Sequence, residues 1–192
     1  AVPLSDYDAV VWILGDESTD DETFDDAEQD LVEAYLESGG MLFVSGNEIG
    51  WDLDNRGDAS DRAFYNNYLK ASYIEDDSEV YTVAGVGGES PFAADVYTYG
   101  LGGSPYYPAY PDVVALSGSS PALRYGDEAG PIAGVYYSGP FGGSAETGKL
   151  VYLGFAFETI YPESSRDQAM QRVVDFFELE KSGGMPDSWM LY

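Results

Sequence analysis

The chain has 192 residues, 44% of them hydrophobic and 15% aromatic, which is enough apolar matter for one folded domain and too much for a disordered acidic chain. Its 35 Asp and Glu against 8 Lys and Arg give a formal charge of -27, so the clustered cations that bind nucleic acid or anionic lipid are missing and both partners are excluded. With Cys 0 and His 0, there is no disulfide framework, no thiolate nucleophile, no thiolate zinc site and no imidazole general base.

No apolar run is long enough to cross a bilayer, and Ala1 opens on neither a basic region nor an apolar stretch, so membrane insertion is not expected and a signal peptide would lie outside this chain. A surface this acidic repels itself unless ions screen it, which points to an extracellular setting, with the cytoplasm of a halophile as the alternative.

Ala9 to Leu14 is a continuous apolar run of strand length, as expected for a strand covered on both faces. From Thr23 the period becomes helical: Phe24, Ala27, Leu31, Val32, Tyr35 and Leu36 share a face, and Gly39-Gly40 stop the helix. The acids of Asp16 to Glu22 precede that helix, where its dipole favours them. Met41 to Ser45 is a second buried strand, completing a β-α-β unit, and Gly46 to Gly50 turns away from its end. Ser60 to Ala71 carries Phe64, Tyr65, Tyr68 and Leu69 at helical spacing, with Ser60 or Asp61 as cap.

Residues 79–137 read as short strands between Gly and Pro: Val80 to Val83, Asp95 to Tyr99, Asp112 to Leu116, Ala122 to Tyr125 and Ile132 to Tyr137. This pattern suggests an antiparallel, β-rich insertion or edge more than further β-α units. Leu150 to Phe155 is a further apolar strand, and Ser164 to Leu179 closes the domain as a helix, with Ser164 and Asp167 at capping-box spacing. The expected architecture is α/β: a mostly parallel central sheet with helices on both faces, over residues 1–180, with 181–192 as linker or tail. A β-α unit ahead of Ala9 is expected in the parent protein.

Two segments carry a family resemblance. Gly39-Gly40-Met41-Leu42-Phe43-Val44-Ser45-Gly46-Asn47-Glu48-Ile49-Gly50 resembles the class I glutamine amidotransferase strand that runs into a nucleophile elbow, and Gly154-Phe155-Ala156-Phe157-Glu158 resembles the later strand end bearing that family's histidine. With Phe64, Tyr65 and Tyr68 between them, the pattern looks like the amidotransferase-like (flavodoxin-like) modules of large secreted bacterial proteins, in which the elbow has no cysteine. The resemblance puts the nucleophile position near Gly46 or Asn47 and the histidine position at Glu158, so amidotransferase chemistry is not carried over. A sharp turn at the carboxyl end of a parallel strand faces the crevice where α/β proteins bind ligands, which makes Ser45, Asn47, Glu48 and Glu158 the candidate cleft. Satisfying backbone groups at a tight turn is the plainer role for Asn47 and Glu48.

Asp52-Leu53-Asp54-Asn55-Arg56-Gly57-Asp58 opens like a calcium loop, but Arg56 and Ala63 stand where an EF-hand needs oxygen ligands. An irregular calcium site at Asp52, Asp54 and Asp58 is the one metal expectation, set against a solvated acidic loop; no other cofactor is expected. Tyr106, Tyr107 and Tyr110, on a Pro-rich loop, either stack on a sugar or pack over the core edge. Gly85-Val86-Gly87-Gly88 lacks the strand-to-helix context of a phosphate loop. The expected role is a non-catalytic accessory or interaction module contacting other domains of its parent protein. The alternatives are a carbohydrate-binding module on a polysaccharide and a hydrolase that works with carboxylates alone.

Overall fold

The computed structural model describes residues 3–17 and 22–179. Three strands form the parallel part of the sheet: β1 (Ala9–Gly15), β2 (Met41–Gly46) and, entering between β2 and the rest, β9 (Gly148–Leu153). The registers Val11↔Phe43 and Phe43↔Val151 stack the apolar runs side by side. Between β2 and β9 in sequence come β3 (Ala71–Glu75), β4 (Thr82–Gly85), β5 (Val96–Tyr99), β6 (Val113–Leu116), β7 (Ser120–Tyr125) and β8 (Ile132–Gly139); β10 (Ile160–Tyr161) follows β9.

The spatial order is β1-β2-β9-β8-β7-β4-β5-β10, with β3 and β6 paired beside β8, and every pairing beyond β9 is antiparallel. The sheet is therefore mixed, curled and mostly antiparallel, which corrects the expectation of a mostly parallel one. Residues 79–137 do form antiparallel strands, and these continue the same sheet across the β8–β9 pair instead of standing as an insertion. The reason is physical. A continuous apolar run reports that both faces of a strand are covered, and it carries no information about the direction of its neighbours.

Helices do lie on both faces. α1 (Asp26–Glu37) and α2 (Ala59–Asn67) bury Val32, Tyr35, Leu36, Phe64 and Tyr65 against Val10, Leu42, Val44, Leu150 and Tyr152. α3 (Glu163–Phe177) seats Ala169, Val173 and Phe177 over Val11, Phe43, Val151 and Leu153. Burying one such side chain is worth about 1.5–3 kcal/mol, so alternate residues of the central strands hold the two layers on opposite sides. Gly40 lets the chain turn back under α1, because a Cβ there would sit 2.5 Å from the Tyr35 ring.

Caps differ from the sequence reading. α1 is capped by Asp25, whose side chain accepts from the Glu28 amide at 2.8 Å in a capping box; Asp16 accepts from Asn47 and Ala109, and 18–21 lie outside the described residues. α2 is capped by Asp58, with Asp61 as the reciprocal partner, in place of Ser60 or Asp61 as cap. α3 follows Pro162 with no side-chain cap, so the Ser164–Asp167 box is not made. The helix expected through Ala71 ends at Asn67, and Ala71 opens β3. The proposed tail 181–192 is outside the described residues.

Candidate functional site

β2 and β9 are parallel neighbours, with Ser45 opposite Leu153, so their carboxyl ends leave the sheet at one edge. Beyond β2 the chain makes an abrupt elbow. Glu48 takes a left-handed φ of 55°, an uncommon conformation for a side chain of this size, and a π-helical turn, Trp51–Arg56, follows at once. Beyond β9 the chain enters a 3-10 turn, Phe157–Thr159.

Asn47 joins the two ends. It is fully buried, its amide donates to the Gly15 carbonyl at 2.9 Å, and its Oδ1 accepts from the Ala156 amide at 3.1 Å. Its Nδ2 donates to Asp16 just past β1, so one side chain ties together the ends of β1, β2 and β9. Glu158 reaches the same edge by another route: its Oε1 accepts from the Tyr106 hydroxyl and would lie 3.2 Å from a Cβ on Gly15. Its side-chain partner is thus on the aromatic loop and not on the elbow. Among the described residues, Glu158 Oε2 and the buried Ser45 Oγ have no hydrogen-bond partner.

The loop carrying Tyr106, Tyr107 and Tyr110 straps across this edge. Tyr106 holds Glu158, and the Ala109 amide donates to Asp16 at 3.1 Å. Tyr107 packs on Tyr81 with ring centroids 4.9 Å apart, and Tyr110 stands 50% exposed at a φ of 55°. The three rings therefore do separate jobs and do not form one flat platform.

Asp112, which sequence reasoning took only as the start of a strand, is the decisive acid. It is fully buried, and its Oδ2 accepts from the Gly50 amide at 2.6 Å and from that of Trp51. Those are the first free amides of the turn after the elbow, the place where this geometry would otherwise hold an anion. Burial foremost, with Asp76 and Glu48 nearby, pushes the Asp112 carboxyl far above the usual carboxylate range. Glu48 is raised to about 7 by its own burial and then by Asp76, Asp16 and Asp52.

The calcium candidates do not converge. Asp52 accepts from the Thr23 amide and hydroxyl at 3.0 and 2.7 Å, Asp54 accepts from the Tyr73 amide at 2.7 Å, and Asp58 caps α2. Among the described residues, no group of three or more acids is arranged to hold a metal ion. A cleft of about 410 Å³ opens beside the π-helical turn over Phe24, Leu53 and Arg56, and none of Ser45, Asn47, Glu48 and Glu158 lines it.

No protein-family profile and no curated protein matches the chain. Solved structures do. The β-galactosidase from Rahnella sp. R3 superimposes with a TM-score of 0.57 at 16% identity, over 93% of this chain and 24% of that one. Gan42B, a GH42 β-galactosidase from G. stearothermophilus, gives 0.60 at 12% identity, over 93% and 23%. The mmIFT52 N-terminal domain gives 0.61 at 15% identity, over 93% and 80%. The likeness is one of fold. The chain spans about a quarter of the length of the β-galactosidases it matches, the size of one domain within them, and 80% of the mmIFT52 domain.

Proposed function

We propose that this domain is a non-catalytic accessory module of a larger secreted bacterial protein, built on an amidotransferase-like scaffold and serving to contact its neighbours. What carries this reading is Asp112. A nucleophile elbow works by leaving the amides of the following turn free for a developing oxyanion. Here the amides of Gly50 and Trp51 are already given to a carboxyl group of the chain itself, and Asn47 is spent on Asp16 and Ala156. The edge where chemistry would occur is closed by its own side chains. Partial coverage of long β-galactosidase chains supports a place inside a larger protein. The charge of -27 supports an ion-rich exterior.

The test is turnover. Ammonia release from glutamine and aryl release from an aryl β-galactoside stay at the buffer blank. Turnover of either that disappears in both Asp112→Asn and Glu158→Gln would refute the non-catalytic reading.

A further inference from the structure

Three acids from three separate elements meet beside the elbow. Glu75 pairs with Val113 at the end of the antiparallel β3–β6 ribbon, and Asp76 and Asp112 are the residues next to that pair on either strand. The Asp112 carboxyl in turn lies on the amide of Gly50, two residues from Glu48. Asp76 is the first charged neighbour felt by Glu48, and Tyr73 is raised by its own burial and then by Asp76, Asp112, Glu75 and Glu48. Trp51 and Tyr73 stand against each other at the same place, ring centroids 6.0 Å apart.

Among the described residues, no cation is paired with these acids. Arg62, Arg124, Lys149, Arg166 and Arg172 donate to Asp54, Gly130, Glu178, Glu158 and Asp95, and Lys70 lies over Tyr137 and Phe141. Arg56 sits 5.9 Å over the Trp51 ring, which shows that this ring accepts a guanidinium on its face. Among the described residues, Asp112 Oδ1 and Asp76 Oδ1 are buried without a hydrogen-bond donor, and Asp112 as a whole is fully buried. Unanswered carboxyl oxygens call for a donor or a cation. The acids are not arranged to hold a metal ion, so the missing group has its own reach and several donors.

We propose that the elbow is a receptor for an organic cation, an ammonium or guanidinium group seated on Glu48 and Asp76 beside the Trp51–Tyr73 pair, with Asp112 beneath it. Half-buried Glu48 and Asp76 make the contact, the aromatic pair supplies a cation–π wall, and Asp112 deepens the negative potential as the cation draws off its proton. This gives the interaction-module reading its chemistry, and it is tested without any assay of turnover, so either can fail alone.

Calorimetric titration of the whole chain in 150 mM NaCl uses two probes: agmatine, and a neutral-flanked peptide with one arginine. Saturable one-to-one binding is expected. It weakens about tenfold or more in Glu48→Gln and in Asp76→Asn, and is unchanged in Glu75→Gln, an exposed acid next in line. Binding also strengthens from pH 6 to pH 8 with release of protons, since burial beside Asp76, Asp16 and Asp52 holds the Glu48 carboxyl near 7. Peptide binding far tighter than agmatine identifies a partner side chain as the source; equal binding identifies a free amine. No saturable binding of either probe, or equal weakening in all three variants, overturns the proposal as diffuse attraction to an acidic surface. Circular dichroism and melting of each variant separate lost binding from lost folding, and a variant that fails to fold is replaced by Glu48→Ala or Asp76→Ser.

Discussion

Replacing Asp112 by asparagine keeps the shape of the side chain and removes its proton chemistry. In the folded chain this carboxyl is fully buried, accepts from the amides of Gly50 and Trp51, and has Asp76 and Glu48 as charged neighbours. Burial therefore raises it well above the unfolded value near 3.9, and the folded state keeps a proton that the unfolded state releases. The sign follows from linkage. The stabilisation is fully present below the unfolded value and is lost as pH rises toward the folded one, at about 1.4 kcal/mol per pH unit for one proton. Asp112→Asn has no such proton, so urea unfolding at pH 4.5, 6 and 7.5 should give a shallower decline for the variant, by about that slope. Its amide gains nothing at pH 4.5, where an unsatisfied buried donor costs about 1–3 kcal/mol, and the two stability curves converge or cross as pH rises. Parallel curves for wild type and variant would show that Asp112 is ionised when folded and would remove the reasoning.

Asn47→Ala should lower stability by about 1–3 kcal/mol in urea unfolding, because it strands the buried Ala156 amide, while exposed Asp16 keeps the Ala109 amide; a loss under 1 kcal/mol would mean the three strand ends hold without it. Tyr106→Phe removes only the hydroxyl on Glu158 and should cost about 1–2 kcal/mol, less than Asn47→Ala, and an equal or larger loss would mean the strap matters more than the bridge. Sodium chloride should raise the melting temperature by screening a charge of -27. Calcium at matched ionic strength should add nothing, since Asp52, Asp54 and Asp58 are spent on protein donors; a further rise with calcium alone would place an ion in the chain.

What could be read from the sequence was whatever burial writes into a local pattern. β1, β2 and β9 announce themselves as apolar runs, and α1, α2 and α3 as stripes of period 3.6. Strand direction leaves no such trace in an apolar run; the short strands of residues 79–137 read as an antiparallel insertion or edge, and only the β8–β9 pairing shows that they continue the central sheet. The short pieces β3 and β10 were missed because each is defined by a partner far along the chain. At the site, Asn47 and Glu158 stood out by their place at the ends of apolar runs. Asp112 and Asp76 did not, because two acids among 35 carry no contrast until tertiary pairing buries one and sets the other beside it. A lone acid immediately before the apolar pair Val113-Val114 was the only local hint.

The position of β9 has a bearing on how the chain comes together. It fills the slot between β2 and β8, and its register with β2 joins Met41 to Lys149 across more than half of the sequence. Closing so long a loop is entropically late, and folds dominated by such contacts assemble slowly. Until Gly148–Leu153 leaves the ribosome, β2 and β8 each present an open, apolar edge of the kind that joins neighbouring chains. Most of the 35 acids precede Gly148 and are in place throughout that interval, and mutual repulsion between nascent chains keeps those edges apart until the last central strand arrives.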